Sequence, residues 1–279
     1  MKILNKEILA DSQGVRIVKL TIHLPDIAAK AKAGQFVVLM VKEEGERIPL
    51  TIVNADPGKG TVVIIAQEAG LTTKLLAGLK AGDFLYSIVG PLGHPTEIKK
   101  YGKVILVGGG VGIAEILPVA KALKDAGNHV TAIIGSRNKE LLILERDLKE
   151  ASDECVVMTD DGSYGRKGFV TEALKELLEK SKYDLVYAVG PIPMMRAVCG
   201  VTKPLGVFTL VSLNAIMVDG TGMCGCCRVR VGGKVRFSCV DGPEFDAAQV
   251  DWDELSKRNS IYGEKEKHIC RLHNGQVNK

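Results

Sequence analysis

Residues 1–97 carry short stretches in which apolar and polar positions alternate, with turn residues between them. From Val15 to Leu24 the alternation has a period of two, which is the spacing of a half-buried β-strand. Residues 47–67 predict two strands around a Pro-Gly-Lys-Gly turn, and one short helix is expected at residues 72–79. Many short strands separated by turns predict a small β-barrel or sandwich.

From Lys103 the pattern changes to short apolar runs that alternate with amphipathic stretches. Strands are predicted within residues 103–109, 129–137, 155–161, 183–191 and 207–214, and helices within residues 113–126, 138–151 and 169–181 and from residue 193. This alternation predicts an α/β domain, with a parallel sheet and helices on both of its faces. Ligands of such a domain are expected at the carboxyl ends of the strands.

The region from residue 212 onward is short and rich in cysteine. Residues 228–240 predict a hairpin around Gly232 and Gly233, and the tail from Asp246 is polar with little periodicity. A region this small has too little core to fold unaided, and a metal centre would stabilise it. We therefore expect three domains, at residues 1–97, 98–211 and 212–279.

The composition is that of an ordinary globular protein, with 46% hydrophobic and 25% charged residues and a formal net charge of +4. No basic block with interleaved aromatic residues predicts nucleic-acid binding. The longest apolar stretch is broken by glycines, Glu115 and Pro118, so we expect no membrane span and a cytoplasmic location. In that reducing compartment, clustered cysteines indicate metal or redox chemistry more than disulfides.

Two glycine-containing turns are candidate nucleotide sites. Residues 108–112 read Gly-Gly-Gly-Val-Gly between a predicted strand and a predicted helix, where free N–H groups can bind a phosphate. Gly190 and Pro191, in the stretch VGPIPMM, turn the chain at the same edge of the predicted sheet. The alternative is that both are tight structural turns without a ligand.

The predicted barrel holds two further candidate stretches. In ERIPLTI, Arg47 lies beside a strand, where it can pair with a phosphate or a flavin ribityl chain, or else remain an exposed edge arginine. In EAGLTTKLL, Gly70 precedes two threonines at the start of the short helix. Its N-terminus suits a pyrophosphate, although simple helix capping explains the pattern equally well.

The cysteine-rich loop has the spacing Asp219-x4-Cys224-x2-Cys227-x11-Cys239. Three cysteines at these intervals in glycine-rich sequence are a strong indication of a metal site. A structural zinc is one interpretation. An iron–sulfur cluster is favoured if the other domains carry a redox cofactor.

Taken in order, the motifs R-I-P-L-T, G-L-T-T, G-P-L-G, G-G-G-V-G-I-A and G-P-I-P-M-M resemble the ferredoxin–NADP reductase superfamily. In that superfamily a flavin-binding β-barrel precedes an NAD(P)-binding α/β domain. The added cysteine loop is similar to the dihydroorotate dehydrogenase electron-transfer subunit group. Within this group the chain looks most like the small subunits of electron-bifurcating, NADH-dependent reduced ferredoxin:NADP oxidoreductases. The resemblance covers nearly the whole chain.

The resemblance implies which residues bind each cofactor. For FAD these are a flavin motif and a pyrophosphate turn: Arg47, Pro49, Leu50, Thr51, Gly70, Thr72 and Thr73. For NAD(H) they are the glycine loop and the residues that enclose the nucleotide: Gly109, Gly110, Val111, Gly112, Asp160, Asp161, Gly190, Pro191 and Met194. For a [2Fe–2S] cluster they are Cys224, Cys227 and Cys239, with Asp219 where the family has its first cysteine. Alternatively, Asp219 only forms a turn, and Cys226 or an outside group is the fourth ligand.

The implied activity is electron transfer from NADH through FAD to a [2Fe–2S] cluster, with the chemistry carried by the cofactors. The resemblance supplies an outlet, a larger flavoprotein subunit with [4Fe–4S] clusters and an NADP(H) site, through which ferredoxin reacts. The alternatives are a dihydroorotate dehydrogenase electron-transfer subunit and a zinc-stabilised binding module without flavin. Arg137 follows a predicted strand, where it can meet a 2′-phosphate, but the resemblance favours NADH over NADPH.

Overall fold

The computed structural model of this chain describes residues 1–277. Its first part is built from seven strands and two short helices. They are β1 (Ile3–Ser12), β2 (Val15–His23), α1 (Pro25–Ala28), β3 (Phe36–Met40), β4 (Ile48–Thr51), β5 (Asn54–Asp56), β6 (Thr61–Gln67), α2 (Leu71–Gly78) and β7 (Ser87–Leu92). The strands form two antiparallel sheets, in the orders β1-β2-β6-β5 and β4-β3-β7. Both sheets pack around one core, as the expected barrel requires.

The period of two in β2 explains how this part folds. Val18, Leu20 and Ile22 are fully buried and face the barrel core. Ile17 points to the opposite side and packs into the core of the next domain. Successive side chains of a strand point to opposite faces, so one strand serves two cores. The predicted strand from Val15 is confirmed.

The second part alternates strands and helices. They are β8 (Lys103–Gly109), α3 (Gly112–Asp125), β9 (His129–Ser136), α4 (Glu145–Ala151), β10 (Glu154–Thr159), β11 (Arg166–Lys167), α5 (Val170–Lys180), β12 (Leu185–Val189), α6 (Ile192–Thr202) and β13 (Thr209–Ser212). The strand order is β11-β10-β9-β8-β12-β13, and all five pairs are parallel. From β8 the chain adds β9, β10 and β11 on one side of the sheet and then β12 and β13 on the other side. The strand order therefore changes direction between β8 and β12, and open parallel sheets bind their ligands at such a point.

Helices cover both faces of this sheet, as the sequence predicts. On β8, Val104 and Leu106 pack on the side of α3, while Ile105 and Val107 pack on the side of α5 and α6. All four side chains are fully buried. A strand buried on both faces reads as a continuous apolar run, which is why residues 104–107 show no alternation.

The last part of the described chain packs onto this sheet. Its elements are β14 (Arg228–Val231), β15 (Lys234–Phe237), α7 (Ser238–Asp241), β16 (Glu244–Asp246), α8 (Trp252–Asn259) and α9 (Gly263–Val277). β14 and β15 form the expected hairpin, and β16 pairs antiparallel with β13 at the sheet edge. Cys227, Val229 and Cys239 share one apolar core with Phe36 and Val38 of the barrel. The small region therefore packs into a core that it shares with its neighbours. The predicted domain boundaries stay predictions.

Three details differ from the sequence-based expectation. The helix predicted for residues 138–151 is interrupted: Asn138 caps a single 3-10 turn at Lys139–Leu141 by accepting a hydrogen bond from the Leu141 N–H at 3.1 Å, and α4 begins only at Glu145, after Leu144 with a φ of 55°. Residues 238–240 form the start of α7 instead of continuing the hairpin. The polar tail holds two helices, and Asp251 caps the first by accepting from the Glu254 N–H at 2.9 Å.

None of the helices within residues 1–277 combines the length and the apolar character that crossing a membrane would need.

Candidate functional site

A cavity of about 590 Å³, which we call the sheet-edge cavity, opens at the carboxyl ends of the parallel strands. The ends of β8, β9, β10 and β12 contribute Gly109, Gly110, Ser136, Arg137, Asp160 and Pro191. The barrel closes one side with Val15 and Ile17, and Phe169 and Met194 stand on the other side. This is the position expected for a nucleotide in an open α/β sheet.

A second cavity of about 450 Å³ lies between the barrel and the α/β domain, and we call it the interdomain cavity. Its barrel wall includes Pro49, Leu50 and Thr51, and its opposite wall is the glycine loop with the start of α3. Asn214 and Met217, which lead into the cysteine loop, complete the lining. Three parts of the chain therefore meet in one cavity.

The two cavities share part of their walls. Gln67, Gly109, Gly110 and Pro191 line both of them. The shared wall lies where β8 and β12 pair, with Gly108 opposite Val189. Two ligands, one in each cavity, would meet at this wall.

Eleven of the sixteen residues predicted to bind FAD or NAD(H) line one or both cavities. They are Pro49, Leu50, Thr51, Gly109, Gly110, Val111, Gly112, Asp160, Gly190, Pro191 and Met194. The other five lie outside the two linings: Arg47, Gly70, Thr72, Thr73 and Asp161. The expected placement of the Gly190–Pro191 turn beside the glycine loop is present in the structure.

Arg47 and the α2 start are close in sequence to Pro49 and Ala69, which line the interdomain cavity. Arg47 is exposed and immediately precedes β4. The hydroxyl of Thr73 accepts hydrogen bonds from the N–H groups of Ala69, at 2.9 Å, and Gly70, at 3.0 Å. Thr72 donates to a carboxylate oxygen of Glu46 at 2.7 Å. In this structure both threonines thus stabilise the start of α2 and the adjoining loop.

The two acidic residues after β10 differ in environment. Asp160 lines the sheet-edge cavity, and burial, followed by the charge of Asp161, raises its pKa. Asp161 accepts a hydrogen bond from the Ser163 N–H at 2.9 Å, and its bonds to Ser163 lower its pKa. Asp160 therefore lies where it would face a ligand in this cavity, while Asp161 shapes the turn.

The cysteine loop brings two thiols together in the core. The Sγ atoms of Cys227 and Cys239 are 3.1 Å apart, and both side chains are buried. Burial, and next the hydrogen bond with Cys227, raise the pKa of Cys239 to about 12. Cys224 is exposed and Cys226 is partly buried. Within residues 1–277, no group of three or more His, Cys, Asp or Glu side chains is gathered closely enough to hold one metal ion.

Asp219 is placed by hydrogen bonds within the same loop. One carboxylate oxygen accepts from the Thr221 hydroxyl at 2.7 Å, and the other accepts from the Cys224 N–H at 2.8 Å. These interactions, first those with Thr221, lower the pKa of Asp219, so its carboxylate is anionic. A carboxylate has about four lone-pair sites, so these bonds leave acceptor capacity for a metal.

The loop rests on the barrel. Gly220 has a φ of 78°, and a side chain there would collide with Leu92 and Val38. Only glycine allows this backbone conformation together with so close an approach. The cysteine loop begins two residues beyond Met217 on the wall of the interdomain cavity, so the loop and the cavity are adjacent.

The sequence-based prediction missed several lining residues. They are Gln67, Glu115, Phe169, Asn214 and Met217. Glu115 had a usable signal, because it is an acidic residue inside an apolar stretch directly after a glycine loop. Burial raises its pKa to about 7, and the Thr51 side chain opposes this shift through hydrogen bonding. The remaining residues carry no motif and are recognised only from the fold.

Two family models match the chain. The oxidoreductase NAD-binding domain covers residues 106–200, and the iron–sulfur cluster binding domain of dihydroorotate dehydrogenase B covers residues 214–251. The first contains the glycine loop and the Gly190–Pro191 turn, and the second contains the whole cysteine loop. The chain therefore carries an NAD-binding domain followed by an iron–sulfur domain.

A solved structure of an NADH-dependent reduced ferredoxin–NADP oxidoreductase, described for its flavin-based electron bifurcation, is similar over 98% of this chain and 96% of the other chain. The TM-score is 0.91 and the sequence identity is 47%. A cytochrome P450 reductase from Amycolatopsis has a TM-score of 0.61 at 25% identity over 73% of this chain and 64% of its own. The expected ferredoxin-reductase type of fold, with an added iron–sulfur region, is confirmed.

Among curated relatives, the dihydroorotate dehydrogenase B (NAD(+)) electron transfer subunit homolog of Thermotoga maritima is 52% identical over 246 residues. That match covers 88% of this chain and 87% of the relative. The corresponding electron transfer subunit of Geobacillus thermodenitrificans is 32% identical over 90% of this chain and 97% of the relative. With this degree of identity along nearly all of its length, the chain belongs to the family of dihydroorotate dehydrogenase B electron transfer subunits and is an oxidoreductase subunit.

Proposed function

We propose that this chain oxidises NADH at a bound FAD and passes the electrons singly, through a [2Fe–2S] cluster, to a larger partner subunit. The observation that carries the proposal is the wall shared by the sheet-edge and interdomain cavities. A nicotinamide nucleotide in the first and a flavin in the second would meet at Gly109, Gly110 and Pro191. The interdomain cavity also adjoins the cysteine loop, so the same flavin would lie next to the cluster.

The interdomain cavity has the features that a flavin needs. Its volume is within the usual range for cofactor sites, and its barrel wall carries Pro49 and Leu50, which suit the face of a planar ring. FAD supplies the chemistry that nicotinamide lacks, since it accepts a hydride and releases electrons one at a time. The protein residues bind the flavin, orient it and keep water from it.

We expect Arg47→Ala to weaken FAD binding by about tenfold or more, because a hydrogen bond to a charged group contributes about 1.5–3 kcal/mol. The exposed guanidinium beside β4 is free to reach a cofactor phosphate through its planar fork of donors. The measurement is the dissociation constant of FAD from the refolded or flavin-stripped chain. Arg146→Ala, on α4, is the control, since Arg146 is an exposed arginine paired with Glu150. Equal affinities in both variants would show that Arg47 is only a surface charge.

The sheet-edge cavity favours NADH over NADPH. Asp160 faces the cavity, and a carboxylate there can accept hydrogen bonds from ribose hydroxyls and repels a 2′-phosphate. Arg137 lines the same cavity, at the end of β9. The positive charge of Arg137 offsets part of the repulsion between Asp160 and a 2′-phosphate. We therefore expect NADH to bind more tightly than NADPH without NADPH being excluded.

We assign the cluster to Asp219, Cys224, Cys227 and Cys239. The buried pair Cys227 and Cys239, with Sγ atoms 3.1 Å apart, fits two thiolate ligands of one cluster. Asp219 and Cys224 lie on the same loop, linked by the hydrogen bond from the Cys224 N–H. The iron–sulfur family match supports this assignment over a structural zinc.

The electrons need an acceptor outside this chain. Outside the cysteine loop the sequence lacks the closely spaced runs of cysteines that ferredoxin-type [4Fe–4S] domains need. We propose a heterodimer in which a larger flavoprotein subunit carries [4Fe–4S] clusters and an NADP(H) site, and through which ferredoxin reacts. The similarity to the NADH-dependent reduced ferredoxin–NADP oxidoreductase supports this partner.

A second candidate is a complex in which the same chain serves a dihydroorotate dehydrogenase. The identity of 52% with the Thermotoga maritima electron transfer subunit homolog favours it. The two candidates share every step within this chain and differ only in the protein that takes the electrons. Co-purification of the native partner separates them.

The test of the proposed function uses the purified single chain. We expect bound flavin and iron, NADH oxidation with artificial electron acceptors, and no transfer from reduced ferredoxin to NADP+, because that reaction needs centres of the partner. Adding the partner should restore the transfer. A colourless chain that contains zinc would contradict the proposal, and efficient ferredoxin-to-NADP+ transfer by the single chain would contradict the two-subunit arrangement.

A further inference from the structure

Ser238 is a buried residue beside the two cysteines that lie together in the core. It is the first residue of α7 and directly precedes Cys239, and its side chain is fully buried. Its hydroxyl has no hydrogen-bond partner in the part of the chain that the structure describes. A buried hydroxyl without a partner costs free energy, because it gives up its hydrogen bonds to water and gains none in return. Buried polar groups are almost always paired, so this exception requires an explanation.

Hydrogen bonds on both sides of Ser238 hold it against Cys227. The Ser238 N–H donates to the Cys227 carbonyl oxygen at 3.0 Å, and the N–H of the next residue, Cys239, donates to the Cys227 Sγ at 3.4 Å. That Sγ is in turn 3.1 Å from the Cys239 Sγ. The unpartnered hydroxyl therefore belongs to a residue that is bonded to one of the two buried cysteines and adjacent in the chain to the other.

The carboxylate nearest to Ser238 along the chain bonds to another group. Asp241, at the end of α7, accepts from the Phe237 N–H at 2.7 Å. A cluster held by Cys227 and Cys239 brings sulfide and thiolate sulfur atoms to this place, and such sulfur atoms accept hydrogen bonds. The Ser238 hydroxyl can turn about its Cα–Cβ bond into any of three staggered positions, and its hydrogen rotates to suit the acceptor. The bound cluster thus supplies the partner that the folded chain does not.

We propose that the Ser238 hydroxyl donates a hydrogen bond to a sulfur atom at the Cys227–Cys239 end of the bound [2Fe–2S] cluster and thereby raises its reduction potential. This inference rests on the proposed function. A cluster that accepts one electron gains one negative charge, so a donor to its sulfur atoms stabilises the reduced form more than the oxidised form. Ser238 therefore favours the passage of an electron from the flavin to the cluster.

The test compares Ser238→Ala with the unchanged full chain, both loaded with the cluster. Alanine removes only the hydroxyl and leaves the four assigned ligands in place. We expect the potential of the cluster to fall, with a decrease of about threefold to tenfold in its reduction equilibrium, where tenfold is about 59 mV for one electron. A redox titration followed by the EPR signal of the reduced cluster measures this shift.

A second measurement detects the hydrogen bond itself. When the cluster is rebuilt in D2O, the Ser238 hydroxyl carries a deuteron close to the unpaired electron of the reduced cluster. Pulsed EPR records the couplings of such exchangeable deuterons. We expect one of these couplings to be missing in Ser238→Ala and to be present in Ser238→Thr, which keeps a hydroxyl.

Thr131→Val is the matched control. Thr131 lies in β9, between Ile105 of β8 and Glu154 of β10, and its buried hydroxyl also lacks a partner among the described residues. Valine keeps nearly the same shape, and this variant should not change the potential of the cluster. Neither Thr131→Val nor Ser238→Ala should lower the denaturation midpoint of the chain without its cluster, because an unpartnered hydroxyl contributes no bond to the fold.

Each contrary result has a separate meaning. An unchanged potential and unchanged deuteron couplings in Ser238→Ala, at normal iron content, overturn the inference and leave the proposed function intact. An equal shift of potential in Thr131→Val also overturns it, and so does a lower denaturation midpoint of cluster-free Ser238→Ala, which would show that the hydroxyl serves the fold. An unchanged chain that binds no iron contradicts the proposed function, and the inference fails with it.

Discussion

Cys227→Ser is expected to yield a chain without its iron–sulfur cluster. Cys227 is buried, with its Sγ 3.1 Å from that of Cys239, so no solvent molecule or flexible neighbour can replace the missing thiolate. Serine has nearly the same shape but is a far poorer ligand for iron in a cluster. Iron and acid-labile sulfide content should fall to near zero, together with the visible absorption of the cluster.

The matched control is Cys155→Ser. Cys155 is a partly buried cysteine on β10, far from the loop in sequence, and burial raises its pKa to about 11. This variant should keep its full iron content. Loss of iron in the control as well, or normal iron in Cys227→Ser, would contradict the cluster assignment.

The same measurement decides the fourth ligand. Asp219→Ala should leave an open iron site and a labile cluster, whereas Asp219→Cys should keep the cluster and change its absorption and EPR spectra. Cys226→Ser should change little. Because a carboxylate carries the same charge as a thiolate, Asp219 keeps the net charge of the site while changing its potential. Unchanged spectra in Asp219→Ala, with loss of the centre in Cys226→Ser, would assign the role to Cys226.

Gly112→Ala is expected to destabilise the fold by about 3 kcal/mol, at the upper end for an overpacked site. An added Cβ would come closer to the Val189 carbonyl oxygen than van der Waals contact allows, and this oxygen belongs to the backbone of β12 and cannot rotate away. The start of α3 would have to move away from β12, and this movement would also disturb the wall that the two cavities share. The midpoint of chemical denaturation should fall, and nucleotide affinity should fall with it.

Gly200→Ala is the control for this prediction. Gly200 lies in α6, is exposed, and has open space around the position of an added Cβ. Alanine should therefore stabilise this helix by about 0.5–1 kcal/mol, since glycine is a poor helix former. If the midpoint of chemical denaturation shifted by the same sign and size in both variants, the close packing at Gly112 would be contradicted.

Some features of this protein follow from local sequence alone. The alternation from Val15 predicts β2, because a strand with one face in a core repeats every two residues. The apolar run from residue 103 predicts β8, and the glycines after it predict the turn into α3. Since parallel strands align their carboxyl ends, even the meeting of the glycine loop with the Gly190–Pro191 turn was predictable. Each of these depends on residues that are close in the chain or on the geometry of one sheet.

Other features depended on contacts between distant parts of the chain. The helix predicted for residues 138–151 is interrupted before Glu145, where Leu141 and Ile143 are buried in a core that also contains Ile17 of β2. The small C-terminal region shares its core with Phe36 and Val38, which lie nearly two hundred residues earlier. No local pattern carries that information.

The sequence by itself therefore determined the order of the barrel, the α/β domain and the cysteine loop, together with the motifs that name the candidate cofactors. Only the tertiary structure decided that the two cavities share a wall, that Cys227 and Cys239 lie side by side, and that Thr51 and Glu115 line the same cavity. The physical reason is desolvation. The pKa values of a carboxyl group and of a thiol depend on how completely the surrounding residues exclude water. Those residues come from segments that only folding brings together.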